Sequence, residues 1–254
     1  MERHLVRLVV AAAWCCIAGA LPLWGAAPQG CVKGDCANGR GTFVLPDGSR
    51  YVGTFKAGVP EGRGSFFFKD GRVYTGDYRG GRRTGKGKFT CPDGRVYEGG
   101  FKDDRLEGQG VFRYPDGTVY KGGFKADRWS GRGEVTYPDE RRYRGQVKDD
   151  KRHGKGRAAW KDGRTYEGDF VNDRMEGRGV YRFPDGAVYT GRMKDDAFNG
   201  MGAFTWPDGR VYRGPFRNGS PHGKGVLTRP DGKRENVEFV MGELVEVPRA
   251  QGAP

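Results

Sequence analysis

The feature that most constrains the fold is a phrase of 23 residues that recurs without insertion or deletion. One copy runs from Tyr97 to Val119 and reads Tyr-Glu-Gly-Gly-Phe-Lys-Asp-Asp-Arg-Leu-Glu-Gly-Gln-Gly-Val-Phe-Arg-Tyr-Pro-Asp-Gly-Thr-Val. A tyrosine opens each of eight copies, at Tyr51, Tyr74, Tyr97, Tyr120, Tyr143, Tyr166, Tyr189 and Tyr212. Positions 3, 12 and 14 of every copy are glycine, and position 20 is aspartate. A period of this length predicts a repeat architecture in which each copy packs mainly on its neighbours.

Inside each copy, aromatic or glycine residues alternate with mainly polar residues. This period of two is typical of strands. Positions 1, 3 and 5 (Tyr97, Gly99 and Phe101 in the third copy) would share one face. Positions 14, 16 and 18 (Gly110, Phe112 and Tyr114) would do the same, while polar residues fill the alternate positions. Each copy therefore reads as two short strands with an aromatic face and a mainly polar face.

The regular residues of the phrase have structural interpretations, which give the structural repeat set Tyr97, Gly99, Phe101, Gly108, Gly110, Asp116 and Gly117. The glycines of positions 3, 12 and 14 are expected to leave a floor on which aromatic rings lie. The Asp-Gly pair at positions 20 and 21 predicts a turn, because Asp bonds its own backbone and Gly accepts a positive φ.

The two ends of the chain depart from the phrase. Residues 1–27 have the basic and apolar pattern of a signal peptide cleaved after residue 20 or 27, with an uncleaved anchor as the alternative. Residues 28–50 match half a repeat and predict an N-terminal cap closed by a Cys31–Cys36 disulfide. Residues 51–234 hold the eight repeats, and residues 235–254 are assigned to a C-terminal cap and tail. The predicted location is exported (periplasm, cell envelope or extracellular), with membrane association left open.

Cys91 has no obvious partner in the sequence. It stands at a repeat position that aromatic residues fill in other copies. The pattern predicts a buried free thiol there.

The chain is basic, with a formal net charge of +13, which favours anionic partners in general. In a repeat protein, one basic position repeated becomes a stripe on the surface. Two such positions, 13 and 22, give the candidate anionic-surface residues Arg63, Lys86, Arg132, Lys155, Arg178 and Lys224, and Arg72, Arg95, Arg141, Arg164, Arg210 and Lys233. The competing interpretation is that these residues pair with neighbouring carboxylates and only solubilise the sheet.

Nothing in the sequence points to catalysis or to a cofactor. His153 and His222 lie three copies apart, and the regular aspartates fit turns better than a calcium ladder. The Gly-x-Gly pairs lack the Lys and Ser or Thr of a phosphate loop. We therefore expect no catalytic residue, no metal site, no cofactor and no small-molecule substrate.

The phrase Tyr-x-Gly-x-Phe, followed by Gly-x-Gly and Pro-Asp-Gly, resembles the MORN repeat (membrane occupation and recognition nexus) over about residues 37–234. The opening from Cys31 to Gly41 looks like the start of secreted bacterial members. The resemblance implies an all-β fold: an elongated, single-layer, twisted antiparallel sheet of repeated β-hairpins.

The same resemblance implies a binding or scaffolding role without catalysis. Docking to an anionic phospholipid surface or to a protein partner is the leading hypothesis. A pure protein–protein scaffold or a self-assembling rod, and thus an oligomer, is the first alternative, and a module for an acidic polymer is the second. Nucleic acid is not expected as a partner of an exported chain.

Overall fold

The computed structural model describes residues 30–245, and all of the regular secondary structure in that range is β. The predicted signal or anchor segment, residues 28 and 29 of the N-terminal cap and residues 246–254 of the C-terminal cap and tail lie outside the described residues. The strands of the first half are β1 (Cys31–Gly34), β2 (Arg40–Val44), β3 (Arg50–Lys56), β4 (Val59–Phe67), β5 (Val73–Arg79), β6 (Arg82–Thr90), β7 (Val96–Lys102), β8 (Arg105–Arg113), β9 (Val119–Lys125) and β10 (Arg128–Thr136). Those of the second half are β11 (Arg142–Lys148), β12 (Lys151–Ala159), β13 (Thr165–Val171), β14 (Arg174–Arg182), β15 (Val188–Lys194), β16 (Ala197–Thr205), β17 (Val211–Arg217), β18 (Ser220–Pro221), β19 (Gly223–Thr228), β20 (Arg234–Val240) and β21 (Glu243–Val245).

The chain divides into two compact units. The first holds the described residues up to Pro138 together with Lys148–Asp150, and in it each strand from β1 to β10 pairs antiparallel with the next. The second holds Asp139–Val147 and the residues from Lys151 onward, with antiparallel pairing in chain order from β12 to β17 and from β19 to β21. The predicted all-β class of successive antiparallel hairpins is confirmed within each unit.

The third copy shows the register that the repeats share. In the hairpin of β7 and β8, Tyr97 faces Phe112 and Gly99 faces Gly110, and the register then shifts before Phe101 faces Leu106. A shift of this kind is the signature of an extra residue in one strand, which needs unusual backbone angles. Gly108 supplies them, with φ of +78°.

The glycines of the phrase therefore have two different functions. A Cβ atom at Gly99 or Gly110 would fall within 2.4–2.5 Å of Tyr97, so these two positions are the floor under the tyrosine ring. Position 12 is not part of that floor, because no heavy atom lies within 4 Å of a Cβ built at Gly108. Its glycine is needed for the positive φ, which β-branched and bulky residues adopt at high cost.

The core of each unit is the aromatic face. Tyr97, Phe101 and Phe112 are buried, and the ring of Tyr97 packs edge to face with Phe101 and with Phe124 of the next copy. The tyrosine hydroxyl donates to the carbonyl of Gly100 at 2.9 Å. The aromatic ladder thus joins consecutive copies, and the hydroxyl of each opening tyrosine donates to a backbone carbonyl.

Aspartates close both kinds of turn. In the loop after β8, Asp116 Oδ1 accepts a hydrogen bond from the amide of Thr118 at 2.8 Å. In the hairpin turn between β9 and β10, Asp127 adopts φ of +71°, and its Oδ1 accepts from the amide of Leu106 in the preceding copy at 2.8 Å. The second bond joins one repeat to the next.

The segments that the sequence assigns to the two caps contain short hairpins. A Cys31–Cys36 disulfide closes the connection between β1 and β2, and β20 pairs with β21 at the other end. Cys91 is buried, but its thiol is disulfide-bonded. The prediction of a free thiol was wrong, because spacing in the sequence does not reveal which cysteines meet.

Candidate anion-binding groove

A groove of about 760 Å³ runs across the polar face of the first unit, from β2 to β9. Its floor is backbone, at the glycines whose other side carries the tyrosine rings: Gly64, Gly76, Gly87, Gly99 and Gly110. One wall is formed by position 13 of successive copies, at Arg40, Arg63, Lys86 and Gln109. The opposite wall carries Val52, Ser65, Thr75, Lys88, Glu98, Val111 and Lys121.

The groove is electrostatically unbalanced. Arg40, Arg63, Lys86, Lys88 and Lys121 line it, whereas Glu98 is its one lining carboxylate. Arg63 lies 3.7 Å from Asp77 with 88% of its side chain exposed, a geometry in which an ion pair contributes little. Within residues 30–245, no carboxylate lies at ion-pair distance from the side chains of the other four cations. Their charges are available to a ligand.

The two candidate stripes predicted from the sequence differ in this respect. At position 22, five of the six residues form ion pairs within their own turns: Arg72 with Asp70, Arg95 with Asp93, Arg141 with Asp139, Arg164 with Asp162 and Arg210 with Asp208, at 2.6–2.7 Å. The sixth, Lys233, donates its backbone amide to Asp231 and is exposed.

The turn arginines also cover aromatic rings. The guanidinium of Arg72 lies 4.5 Å from the centre of the Phe68 ring, and that of Arg210 lies 5.2 Å from Trp206. The hydrogen bond from the Arg95 side chain holds the pKa of Asp93 below its ordinary value. Position 22 therefore belongs to the turns.

Position 13 is exposed in all six predicted residues, but their surroundings differ. Arg63 and Lys86 line the groove, and Arg132 lies in the same unit outside its lining. In the second unit, Lys155 pairs with Asp169 at 2.7 Å. Burial is the largest single influence and raises the pKa of Asp169, but the hydrogen bonds from the Lys155 side chain and the Arg178 amide, together with the charge of Lys155, lower the pKa overall. Arg178 and Lys224 are exposed in that unit, and Met201 takes position 13 between them with 65% exposure.

Two arginines that pack against the aromatic face were missed by sequence reasoning. Arg83 is only 1% exposed; its Nε lies 3.0 Å from Asp104 Oδ1, and its guanidinium lies 5.4 Å from the centre of the Phe89 ring. Arg152 forms a similar pair with Asp173 in the second unit and lies 5.3 Å from the centre of the Phe170 ring, but its side chain is 20% exposed. Both occupy position 10, where other copies have Leu106, Trp129 or Met175. These apolar residues at the same repeat position were the signal in the sequence that position 10 faces the core.

Three further groove cations were also missed. Arg40 stands at position 13 of the half-repeat, where counting in phase would have found it. Lys88 and Lys121 stand at positions 15 and 2, where the residue type varies from copy to copy, so no stripe was visible.

Across residues 30–245, no three His, Cys, Asp or Glu side chains are grouped so that they could hold a metal ion. The described residues also contain no helix of the length and apolarity that a bilayer crossing requires.

The fold and the groove together define a repeat scaffold that presents a binding surface. Comparison with protein families gives its class: the MORN repeat matches residues 29–50, 51–71, 74–94, 97–119, 120–140, 143–163, 166–188, 189–209 and 212–234. The chain belongs to the MORN repeat family. Its first matched segment coincides with the half-repeat that the sequence assigns to the N-terminal cap.

Solved structures give weaker likenesses. The G-box domain of the microcephaly protein CPAP is 19% identical, with 78% of this chain and 97% of that chain covered and a TM-score of 0.40. The SAS-4 TCP domain of Drosophila melanogaster, solved in complex with a proline-rich motif of Ana2, is 14% identical, with 69% and 83% covered and a TM-score of 0.31. The wild-type TCP10 domain of Danio rerio CPAP is 17% identical, with 78% and 99% covered and a TM-score of 0.26. At these TM-scores the likenesses carry no argument about function. No curated protein matches the chain.

Proposed function

We propose that this MORN repeat protein is a non-catalytic scaffold whose groove binds an extended acidic segment of a partner protein. The observation that carries the proposal is the charge of the groove, which five cations and one carboxylate line. Charge complementarity of this kind guides association and fixes how the partner lies. The uncharged floor leaves room for a main chain to approach the sheet closely.

The shape of the groove favours a chain over a flat anionic surface. Arg63 and Lys86 stand on one wall, and Lys88 and Lys121 stand on the other, with the glycine backbone between them. A segment lying in the groove meets cations from both sides at once. A planar bilayer would meet the rims and leave the floor uncovered.

The test uses the full chain and a fluorescent peptide of about ten residues with acidic side chains, and its control is the same peptide with Gln for Glu. Fluorescence anisotropy should show binding of the acidic peptide that weakens as salt is added, because the pairs are solvent-exposed. Lys86→Glu with Lys88→Glu should weaken binding about tenfold or more, as expected when two attractive pairs become repulsive.

A matched variant keeps the same net charge. Lys102→Glu with Lys125→Glu changes two exposed lysines outside the groove lining and should leave the affinity within about twofold. Equal losses in the two double variants would contradict the proposal. Binding to acidic but not neutral vesicles, with no binding of the acidic peptide, would favour the membrane hypothesis instead.

A further inference from the structure

We infer that the groove selects an acidic segment in a polyproline II conformation, with one carboxylate at every third residue. This inference rests on the proposed function and concerns the same groove. It comes from the spacing of the charged wall rather than from its total charge. Arg40, Arg63 and Lys86 are at the same repeat position, on β2, β4 and β6.

The pitch of the wall follows from the pairing of the strands. Between Arg40 and Arg63 lies one strand, β3, and between Arg63 and Lys86 lies β5. Neighbouring strands lie about 4.8 Å apart, so the wall presents a cation about every 9.6 Å. A ligand lying along the groove, perpendicular to the strands, meets a cation at that interval, with Asp77 of β5 between Arg63 and Lys86.

Only one common extended conformation matches this interval. A polyproline II helix has three residues per turn and rises about 3.1 Å per residue, so every third side chain points the same way about every 9.3 Å. In a β-strand, same-face side chains recur about every 6.6 Å, and residues three apart point to opposite faces. The side chains of a β-strand ligand would therefore fall out of register with the wall cations after one contact.

The opposite wall suits the remaining residues of such a ligand. Next to the first two wall cations it carries Val52, Ser65 and Thr75, which are small or apolar. These side chains leave space for two uncharged residues between successive carboxylates. The row of cations then ends at Gln109, which faces Gly123 across the strand pair. The groove thus takes three spaced acids followed by a neutral polar residue.

The experiment compares peptides of equal length and equal charge on the full chain by anisotropy. The first places Glu at every third residue with Pro between, the second has the same residues with the Glu clustered at one end, and the third replaces Pro by Gly. The spaced Pro peptide should bind about tenfold more tightly than the clustered one, which can satisfy about one wall cation instead of three. The Gly peptide should fall between them, because it must lose more chain entropy on binding.

A gain-of-function variant tests the register independently. Gln109→Arg extends the row, and should tighten binding of a spaced peptide with four acids about threefold over one with three. Val32→Arg adds the same charge at a site that is 64% exposed and outside the groove. This variant should not change the ratio of the affinities for the two peptides. Circular dichroism checks that both variants fold.

The outcomes separate the two claims. Equal affinity for spaced and clustered peptides, or no effect of Gln109→Arg, overturns the spacing inference and leaves the acidic-segment proposal standing. Equal affinity of the Pro and Gly peptides overturns the polyproline II conformation. If no acidic peptide binds better than its Gln counterpart, the proposed function fails and the inference fails with it.

Discussion

The ring of Tyr97 lies over Gly110 so closely that a Cβ atom on the glycine would be 2.5 Å from Cε2 of the tyrosine. The same relationship holds between the opening tyrosine and the position-14 glycine in all eight copies. In the first unit this glycine column carries the aromatic core on one side and the groove floor on the other. Core packing and the candidate binding surface therefore depend on the same backbone.

The first prediction separates the two kinds of glycine. Gly110→Ala forces a methyl group into the Tyr97 ring and should reduce the free energy of unfolding by about 3 kcal/mol or more, as overpacked core positions do. Gly108→Asn should cost about 1 kcal/mol or less, since Asn tolerates a positive φ and open space surrounds this position. Urea unfolding of both variants measures the difference, and equal losses would contradict the assignment.

The second prediction concerns the buried pair of Arg83 and Asp104. Asp104→Ala should cost about 3–5 kcal/mol, because it leaves a buried guanidinium without its carboxylate. Arg83→Leu should be close to neutral, since Leu106 fills the equivalent position of the next copy and apolar replacement of a buried pair is often tolerated. Thermal unfolding checks which variant loses more stability. A larger loss of stability for Arg83→Leu than for Asp104→Ala would show that the arginine is essential to the core.

The third prediction is cooperative unfolding at alkaline pH. Burial raises the pKa of Tyr189 to about 12 and lifts the pKa of Tyr97 well above its ordinary value. An unfolded tyrosine ionises near pH 10, so the folded state binds more protons than the unfolded state above that pH. Stability should be level below about pH 10 and fall as the pH rises further.

Tyrosinate absorbance and circular dichroism, followed together, test this prediction. The two signals should change in the same narrow pH range, because the core tyrosines ionise only when the chain unfolds. Gradual ionisation near pH 10 with an unchanged circular dichroism spectrum would contradict the buried tyrosine core.

The fourth prediction distinguishes the turn arginines from the groove cations. Arg72→Gln with Arg95→Gln removes two turn ion pairs and should lower the free energy of unfolding by about 1 kcal/mol or less per pair, because their carboxylate partners are half-exposed. The affinity for the acidic peptide should stay within about twofold, since neither residue lines the groove. A tenfold loss of affinity would show that position 22 contributes to the binding surface.

Much of the fold could be predicted because the same 23-residue pattern occurs eight times in the sequence. The alternation of Tyr97, Gly99 and Phe101 defines a strand with one aromatic face, and the Asp116-Gly117 pair defines its turn. The separate function of Gly108 could not be predicted, because a column of glycine looks the same whether it is required by a ring or by a positive φ.

The candidate site was harder to predict than the fold. Positions 13 and 22 are equally basic in sequence, but Arg95 lies two residues from Asp93 and pairs with it. Within residues 30–245 the side chain of Lys86 forms no ion pair, and only its backbone amide donates to a carboxylate, that of Asp77. Arg83 looks like a surface charge until the strand pairing brings Asp104 beside it. The groove itself depends on the second wall, where Lys88 and Lys121 occupy positions without a regular pattern.

The most direct test of the groove is residue-by-residue lysine acylation of the full chain, followed by mass spectrometry with and without the acidic peptide. At ten times the dissociation constant, Lys86, Lys88 and Lys121 should react about tenfold more slowly with peptide bound. Lys102 and Lys125, which are exposed outside the groove lining, should react at unchanged rates. Equal protection of all five lysines, or protection of Lys102 and Lys125 alone, would contradict the binding groove.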